Sequence, residues 1–476
     1  VRISKRFKLG RGQGELDFVD VDDVGDTRLY VDPRALRLLP TEWGHECVSL
    51  IQNFFRAVLK EIKHGNDTEA IRLLSGLTEP NETRLGLSKK EARGTALGPE
   101  LAIATFESLK KSEAAKSGLL EDLEDTALMV EGIGLDRVSD IATNIVRGPL
   151  VRYTQDAADH YGIPLKQGVA SGSIWDPKLR NWIAGFTDLP VTKRGPLILV
   201  PKAIVRRRLD YNQDEYFTHY VLPYMQQVEI NAMSSLVTLL KDGTPKVYKK
   251  ALKKHYGQGK GTIVELTREH PEMLAWYRKD KKKRPQGPMD HLELADELGV
   301  TSPDFKALLE AVKVIPSGKT HATDYHRAVE ALLSALFYPS LAHPDVEQEI
   351  HEGRKRIDIS YMNIAQRGFF HWVADHYSAP HIYVECKNFK GDPANPELDQ
   401  LAGRFSPSRG KVGLLVCRKI AKKDLFVKRC RDTALDDRGF IIPLDDADLT
   451  ELVKARGAFE GEGGYKLLRR LFEKLT

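Results

Sequence analysis

Cysteine is scarce, with Cys47, Cys386, Cys417 and Cys430 the only four in 476 residues and no two of them close in the chain. That spacing suits neither a disulfide framework nor a cysteine zinc site, and a reducing cytoplasm is expected. Long apolar runs are missing as well. Pro196-Leu197-Ile198-Leu199-Val200-Pro201 is typical of the longest, far short of the roughly 18 residues of a membrane-spanning helix. The basic residues Arg2, Lys5, Arg6 and Lys8 lead into no apolar stretch, so they do not read as a secretory signal, and neither export nor a membrane partner is expected. Nor does charge of one sign dominate. Lys and Arg number 72 against 67 Asp and Glu, a net charge of +5. This mild excess permits a polyanionic partner without demanding one.

What is present is the composition of an ordinary globular protein, 41% hydrophobic and 29% charged. The length exceeds what one core organises, so two or three domains are expected. Four regions follow from the pattern: an α+β region over 1–162, a second α+β region over 163–288 ending in a basic segment and linker, a helical connector over 289–318, and an α/β domain over 319–476. In the first, strand-like stretches at 16–19 and 28–31 precede a helix over 47–63. The string from Gly132 to Ile141 reads as a turn feeding a helix that Asp136 or Ser139 caps, and the helical spacing of Asp136, Asp140 and Asn144 fits a polar site or, more simply, the wet face of that helix. Residues 163–205 read as a small sheet and 214–240 as helix. Residues 278–288 read as a linker.

Two glycine strings do not mark nucleotide sites. Gly10-Arg11-Gly12-Gln13-Gly14 lacks the preceding strand and following helix of a dinucleotide fingerprint, and Gly257-Gln258-Gly259-Lys260-Gly261-Thr262 lacks the residue order of a phosphate loop. Both are expected to be turns. Between residues 241 and 284 basic residues outnumber acidic ones, with clusters at Lys249-Lys250, Lys253-Lys254 and Lys281-Lys282-Lys283-Arg284 and aromatic residues Tyr248, Tyr256, Trp276 and Tyr277 between them. A solvated helix face and a phosphate-contacting surface both fit this pattern.

From residue 323 the pattern alternates. A helix is predicted over 324–337 from the apolar stripe Val329, Leu332, Leu333 and Leu336, then a hairpin of strands at 346–350 and 356–361. A helix at 365–376, a strand at 381–388, a helix at 396–404, a strand at 412–417, a helix at 422–435 and a strand at 440–444 complete a mixed sheet flanked by helices. Alternation along 381–388 sends Ile382, Val384 and Cys386 to one face and Tyr383, Glu385 and Lys387 to the other. Asp358 sits between Ile357 and Ile359 on the hairpin strand. Half-buried carboxylates are costly unless paired or bound to a cation. Two of them converging near a lysine form the oxygen-ligand set that a magnesium ion uses in phosphodiester hydrolysis.

The order of Glu330 on a helix, Asp358 on a hairpin strand, Glu385-Cys386-Lys387 on the next strand and Gln400 on the following helix resembles the PD-(D/E)xK nuclease superfamily, whose fold is restriction-endonuclease-like. The resemblance covers residues 319–448. Ile357 stands where the superfamily's name has proline, and Arg404 where some exonuclease branches have tyrosine. The resemblance implies Mg2+ or Mn2+ held by Asp358, Glu385 and the Cys386 carbonyl, with Lys387 orienting the attacking water. Glu330 is expected to reach the site through water or as a ligand of a second metal. Gln400 and Arg404 are expected on the scissile or adjacent phosphate, and Arg354, Lys355 and Arg356 beside the nucleic acid, joined by Lys281, Lys282, Lys283 and Arg284 as a feeding surface. The fourteen histidines suggest no separate site, His371 and His376 being read as packing or surface residues.

A DNA endonuclease is therefore expected, with RNA left open as substrate. Residues 1–318 would be a sensor or assembly region answering a phage-derived or accessory trigger. That architecture resembles bacterial antiviral defence or restriction effectors, and the nuclease resemblance implies a homo-oligomer, since such enzymes often pair two active sites to cut both strands. A catalytically silent nucleic-acid-binding scaffold and a repair nuclease or RNase of the same fold remain alternatives.

Overall fold

Residues 1–86, 98–350, 355–389, 391–407, 409–458 and 465–476 are described by the structure, a computed structural model; for 98–100, 347–350, 355–356 and 457–458 this covers the backbone alone. The N-terminal region opens with an irregular buried segment. Leu16, Phe18 and Val19 are all buried, yet 16–19 forms no strand beyond a single bridge from Phe18 to Pro201. The side-chain amide of Gln13 takes the place of a neighbouring strand, donating to Phe18 O at 2.9 Å and accepting from Asp20 N at 2.7 Å. This satisfies a buried backbone that lacks a ladder.

Helix α1 (Glu42–His64) starts at Thr41, whose side chain accepts from Gly44 N–H, and ends at Gly65 in the left-handed region. Helices α2 (Leu135–Ile145) and α3 (Arg147–Tyr161) follow. Contrary to the sequence reading, Gly134 stands at the N-cap of α2 and no side chain of the described residues caps it. Ser139 Oγ accepts from Val31 N–H at 2.9 Å instead, and Asn144 is fully buried, bound to Thr78, rather than on a wet face. The expected small sheet is mainly one hairpin, β1 (Lys166–Asp176) and β2 (Asn181–Leu189). Helix at 214–240 stops short: Gln213–Tyr216, a π-helical Phe217–Val221 and Leu222–Asn231 run on from one another, and a small hairpin follows.

Helices α4 (Lys249–Tyr256), α5 (Lys260–Glu269) and α6 (Glu272–Lys283) carry the basic segment. The expected linker is thus helical to Lys283. Arg278 anchors it, pairing with Glu121 at 2.7 Å and Asp125 at 2.6 Å. Then come α7 (His291–Leu298), started by an Asp290/Glu293 capping box, and α8 (Phe305–Lys313).

The C-terminal region is a mixed α/β layer structure: α9 (Ala322–Phe337), β3 (Leu341–Ile350), β4 (Lys355–Asn363), α10 (Gly368–Tyr377), β5 (His381–Lys387), α11 (Asn395–Ala402), β6 (Val412–Cys417), α12 (Lys423–Leu435), β7 (Phe440–Leu444), α13 (Asp446–Ala458) and α14 (Lys466–Glu473). Five strands lie in the order β7-β6-β5-β4-β3. The β3-β4-β5 part is antiparallel and the β5-β6-β7 part parallel. Val329, Leu332, Leu333 and Leu336 are buried as their spacing predicts. Because β5 is the central strand and covered on both faces, Tyr383 and Glu385 are as buried as Ile382 and Val384.

One core runs through residues 3–298 without a break at 162/163, and a second fills the C-terminal layers. The first core also takes in Tyr338, Ala342 and Ile364. Among the described residues no helix is long and apolar enough to cross a membrane.

Candidate functional site

The ladder between β4 and β5 runs from Met362 opposite His381 to Ile359 opposite Val384 and stops there. At the next position the Asp358 carboxylate, not a backbone carbonyl, accepts the Cys386 N–H at 2.8 Å. The strands part here, and the candidate site residues gather at the gap.

Glu385 is 1% exposed. Its Oε1 accepts from Lys387 Nζ at 2.7 Å and from Gln400 Nε2, while Lys387 Nζ also donates to Gln400 Oε1 at 3.0 Å. Helix α11 brings Gln400 there. It begins with Pro396 in its first turn and with Glu397 accepting the Ala394 N–H at 2.8 Å. Glu385 Oε2 has no hydrogen-bond donor among the described residues; Arg404 Nε stands 3.6 Å away, its guanidinium nearly buried and turned toward the carboxylate. Burial first, and the Asp358 carboxylate second, push the Glu385 carboxyl above its ordinary range, against the pull of Lys387 and Arg404.

Asp358, Glu385, Lys387, Gln400 and Arg404 are therefore brought together as the sequence predicts. Glu330 is not. Its carboxylate is ion-paired with Arg11, accepts from Ser334 Oγ at 2.8 Å and lies 3.7 Å from His160 Nε2. One turn earlier on α9, His326 holds the place expected of Glu330. Its Nε2 lies 3.2 Å from the Cys386 carbonyl and 3.8 Å from Asp358 Oδ2. Sequence reasoning missed His326, although its i,i+4 spacing from Glu330 marks one helix face. The Cys386 carbonyl, expected to face a metal, thus already meets an imidazole.

Of the expected nucleic-acid contacts, Arg354 lies outside the described residues, as do the side chains of Lys355 and Arg356. Lys281 does not reach solvent as expected, because its ammonium pairs with Glu215 at 2.7 Å and Asp210 at 3.4 Å. Lys282, Lys283 and Arg284 are exposed. Tyr277 is fully buried and accepts the Asn212 N–H at 3.0 Å, so it offers no stacking face, whereas Trp276 is 48% exposed.

Beside the centre lies a cavity of about 510 Å3 lined by Arg11, Asp17 and His160 from the N-terminal region and by His326, Glu330 and Asp345 from the C-terminal one, among others. Among the described residues no three His, Cys, Asp or Glu side chains gather as ligands of one metal. A cation at the centre would therefore rest on two carboxylates, those of Asp358 and Glu385, supplemented by backbone. The buried Oε2 of Glu385, which faces Arg404 at 3.6 Å but receives no hydrogen bond from the described residues, fits such a role, since a buried acceptor without a hydrogen bond is costly.

Residues 8–212 match the model of a family described as a domain of unknown function (DUF8370). The matched stretch contains Arg11, Asp17 and His160 and stops well before Asp358. No curated protein and no solved structure matches the chain.

Proposed function

We propose that residues 319–476 form a PD-(D/E)xK, restriction-endonuclease-like nuclease domain and that the protein is a DNA endonuclease using Mg2+ or Mn2+. The observation that supports it most is the buried Glu385 carboxylate, one oxygen held by Lys387 and Gln400 and the other without a donor among the described residues, next to the gap where Asp358 interrupts the ladder. Asp358 and Glu385 would hold the metal, with the Cys386 carbonyl in reach. A bound divalent cation would supply positive charge against a phosphate oxygen and make water a better nucleophile near neutral pH. The residues of the chain do the rest. Lys387 offsets charge developing on the phosphate and orients the attacking water, Gln400 fixes Lys387 and Glu385 relative to each other, and Arg404 adds a second cation beside the phosphate.

Residues 1–318 are read, in the same proposal, as the controlling region of a restriction or antiviral defence effector that acts as a homo-oligomer and answers a phage-derived or accessory trigger. Its support is that Arg11 and His160 reach across to α9, the helix whose His326 touches the centre.

The test is cleavage of supercoiled plasmid by the full chain with Mg2+, with Mn2+ and in excess chelator, alongside linear DNA, single strands and RNA. Nicking or linearisation that needs the metal and is lost in Glu385→Gln is expected. Undiminished cutting by Glu385→Gln, or cutting in chelator, sinks the assignment.

A further inference from the structure

Helix α4 reads Lys-Lys-Ala-Leu-Lys-Lys-His-Tyr and contains no acidic residue. Its charge pattern works against the helix. Lys249 and Lys250 sit in the first turn, where the helix dipole favours anions, and Lys249/Lys253 and Lys250/Lys254 are like-charge i,i+4 pairs, each costing about 0.2–0.5 kcal/mol. Two of the four lysines are used internally. Lys249 Nζ donates to Thr218 O at 2.8 Å, and Lys253 Nζ lies 5.9 Å from the Phe217 ring centre. Lys250, Lys254 and His255 are exposed.

The segment that receives these contacts, Phe217–Val221, also receives α6. Tyr220 stacks edge-on against Trp276 with ring centres 4.9 Å apart, and its hydroxyl donates to Asp280 at 2.7 Å. Helix α6 turns Trp276, Lys279, Lys282 and Lys283 to solvent, followed by Arg284. Cations at a helix C-terminus complement the dipole, but that dipole amounts to only about half a charge. Lys282, Lys283 and Arg284 exceed it several-fold. Neither helix accounts for its solvent-exposed lysines, and both contact one five-residue segment.

We propose that the exposed faces of α4 and α6, on either side of Phe217–Val221, form a docking surface for the phosphate backbone of duplex DNA, separate from the catalytic centre. The surface would hold the substrate while the C-terminal domain cuts, and the proposal rests on the nuclease reading for its occupant. Phosphate is the partner whose charge relieves the lysine repulsion, and neutralising it releases counterions, so the contact strengthens as salt falls.

The experiment measures binding of a fluorescein-labelled DNA duplex by fluorescence anisotropy, using full-length Glu385→Gln protein in chelator so that cleavage and metal play no part. Two charge reversals, Lys250→Glu/Lys254→Glu and Lys282→Glu/Lys283→Glu, are compared with Lys60→Glu/Lys63→Glu, which changes net charge equally on exposed lysines of α1. Each of the first two should weaken binding at least about fivefold and flatten the log–log salt slope by about 1.8, two contacts at about 0.9 each, while the control stays within about twofold. Equal losses in all three variants, no loss in any, or no binding by the parent overturns the surface. Plasmid cleavage by wild-type protein reports on the nuclease reading independently.

Discussion

Arg11, in an irregular stretch between Gly10 and Gly12, is ion-paired with Glu330, a carboxylate on α9 that is 1% exposed. A second joint lies close by. Asp17 accepts the His343 N–H at 2.7 Å and the Tyr153 hydroxyl at 2.8 Å. Both joints tie the N-terminal region to elements flanking the candidate centre, and both line the cavity beside it.

Removing one partner of a buried pair strands the other. Glu330 keeps Ser334 Oγ at 2.8 Å and His160 at 3.7 Å, so Arg11→Ala should destabilise the protein by about 1–3 kcal/mol, still more than a typical exposed ion pair contributes. Arg11→Met combined with Glu330→Leu should recover most of that loss, because an apolar pair leaves no charge stranded. Denaturant midpoints of the three proteins check this. A double variant no better than Arg11→Ala contradicts it.

The same joints set a pH window. Burial alone would raise the Glu330 carboxyl, but His160 and Arg11 overcome it and bring it from 4.5 to about 2. Burial likewise opposes Asp17, and His343 brings it from 3.8 to about 2. A depressed carboxyl pKa gives stability that is present above the unfolded value and lost as pH falls toward the folded one. The His343 imidazole, against burial, is raised above 6.5 by Asp17. Its contribution is full below 6.5 and lost as pH rises through the raised value. Melting curves should therefore show an acid limb between 4.5 and about 2 and a shallower loss above 6.5. Asp17→Asn should flatten both limbs. An unchanged profile in that variant means the Asp17–His343 joint contributes nothing.

The C-terminal elements were legible because their apolar runs are unambiguous: β6 and β7 have the bounds their sequences predict. Strand β3 begins at Leu341 rather than at the predicted 346, because Pro344, which has no N–H for a ladder, hides its first half in the sequence. Glu385 and Lys387 could be placed by spacing alone, but alternation could not foresee that Tyr383 and Glu385 are as buried as their neighbours, which follows from the central position of β5. Glu330 and His326 share a helix face, and the distant Arg11 and His160 hold Glu330 while His326 meets the centre. Local pattern holds no record of such a partner.

His326 contacts the carbonyl between Glu385 and Lys387, so its loss should disturb the centre without unfolding the domain. His326→Ala is expected to lower metal-dependent cleavage about 10–100-fold and to raise the metal concentration needed for half-maximal rate, the usual effect of removing a group that orients ligands. Plasmid cleavage across a magnesium titration reads both quantities. Wild-type rate and metal dependence in the variant would remove His326 from the site.

Lys281 and Lys282 are neighbours in sequence with opposite tasks. One step along α6 turns a side chain by about 100°, enough to send Lys281 inward to Glu215 at 2.7 Å and Asp210 at 3.4 Å while Lys282 faces solvent. Asp210 is buried and also accepts from Arg34 Nε at 2.6 Å, so removing Lys281 leaves it partly compensated. Lys281→Ala should therefore cost about 1–2 kcal/mol of stability, less than a fully stranded buried charge. DNA affinity and its salt slope should stay as in the parent, because an ammonium held by two carboxylates releases no counterion from phosphate. Lys282→Ala should do the reverse, leaving the denaturant midpoint in place and weakening binding. If the two variants behave alike in both measurements, the inward turn of Lys281 does not separate structure from binding along this run.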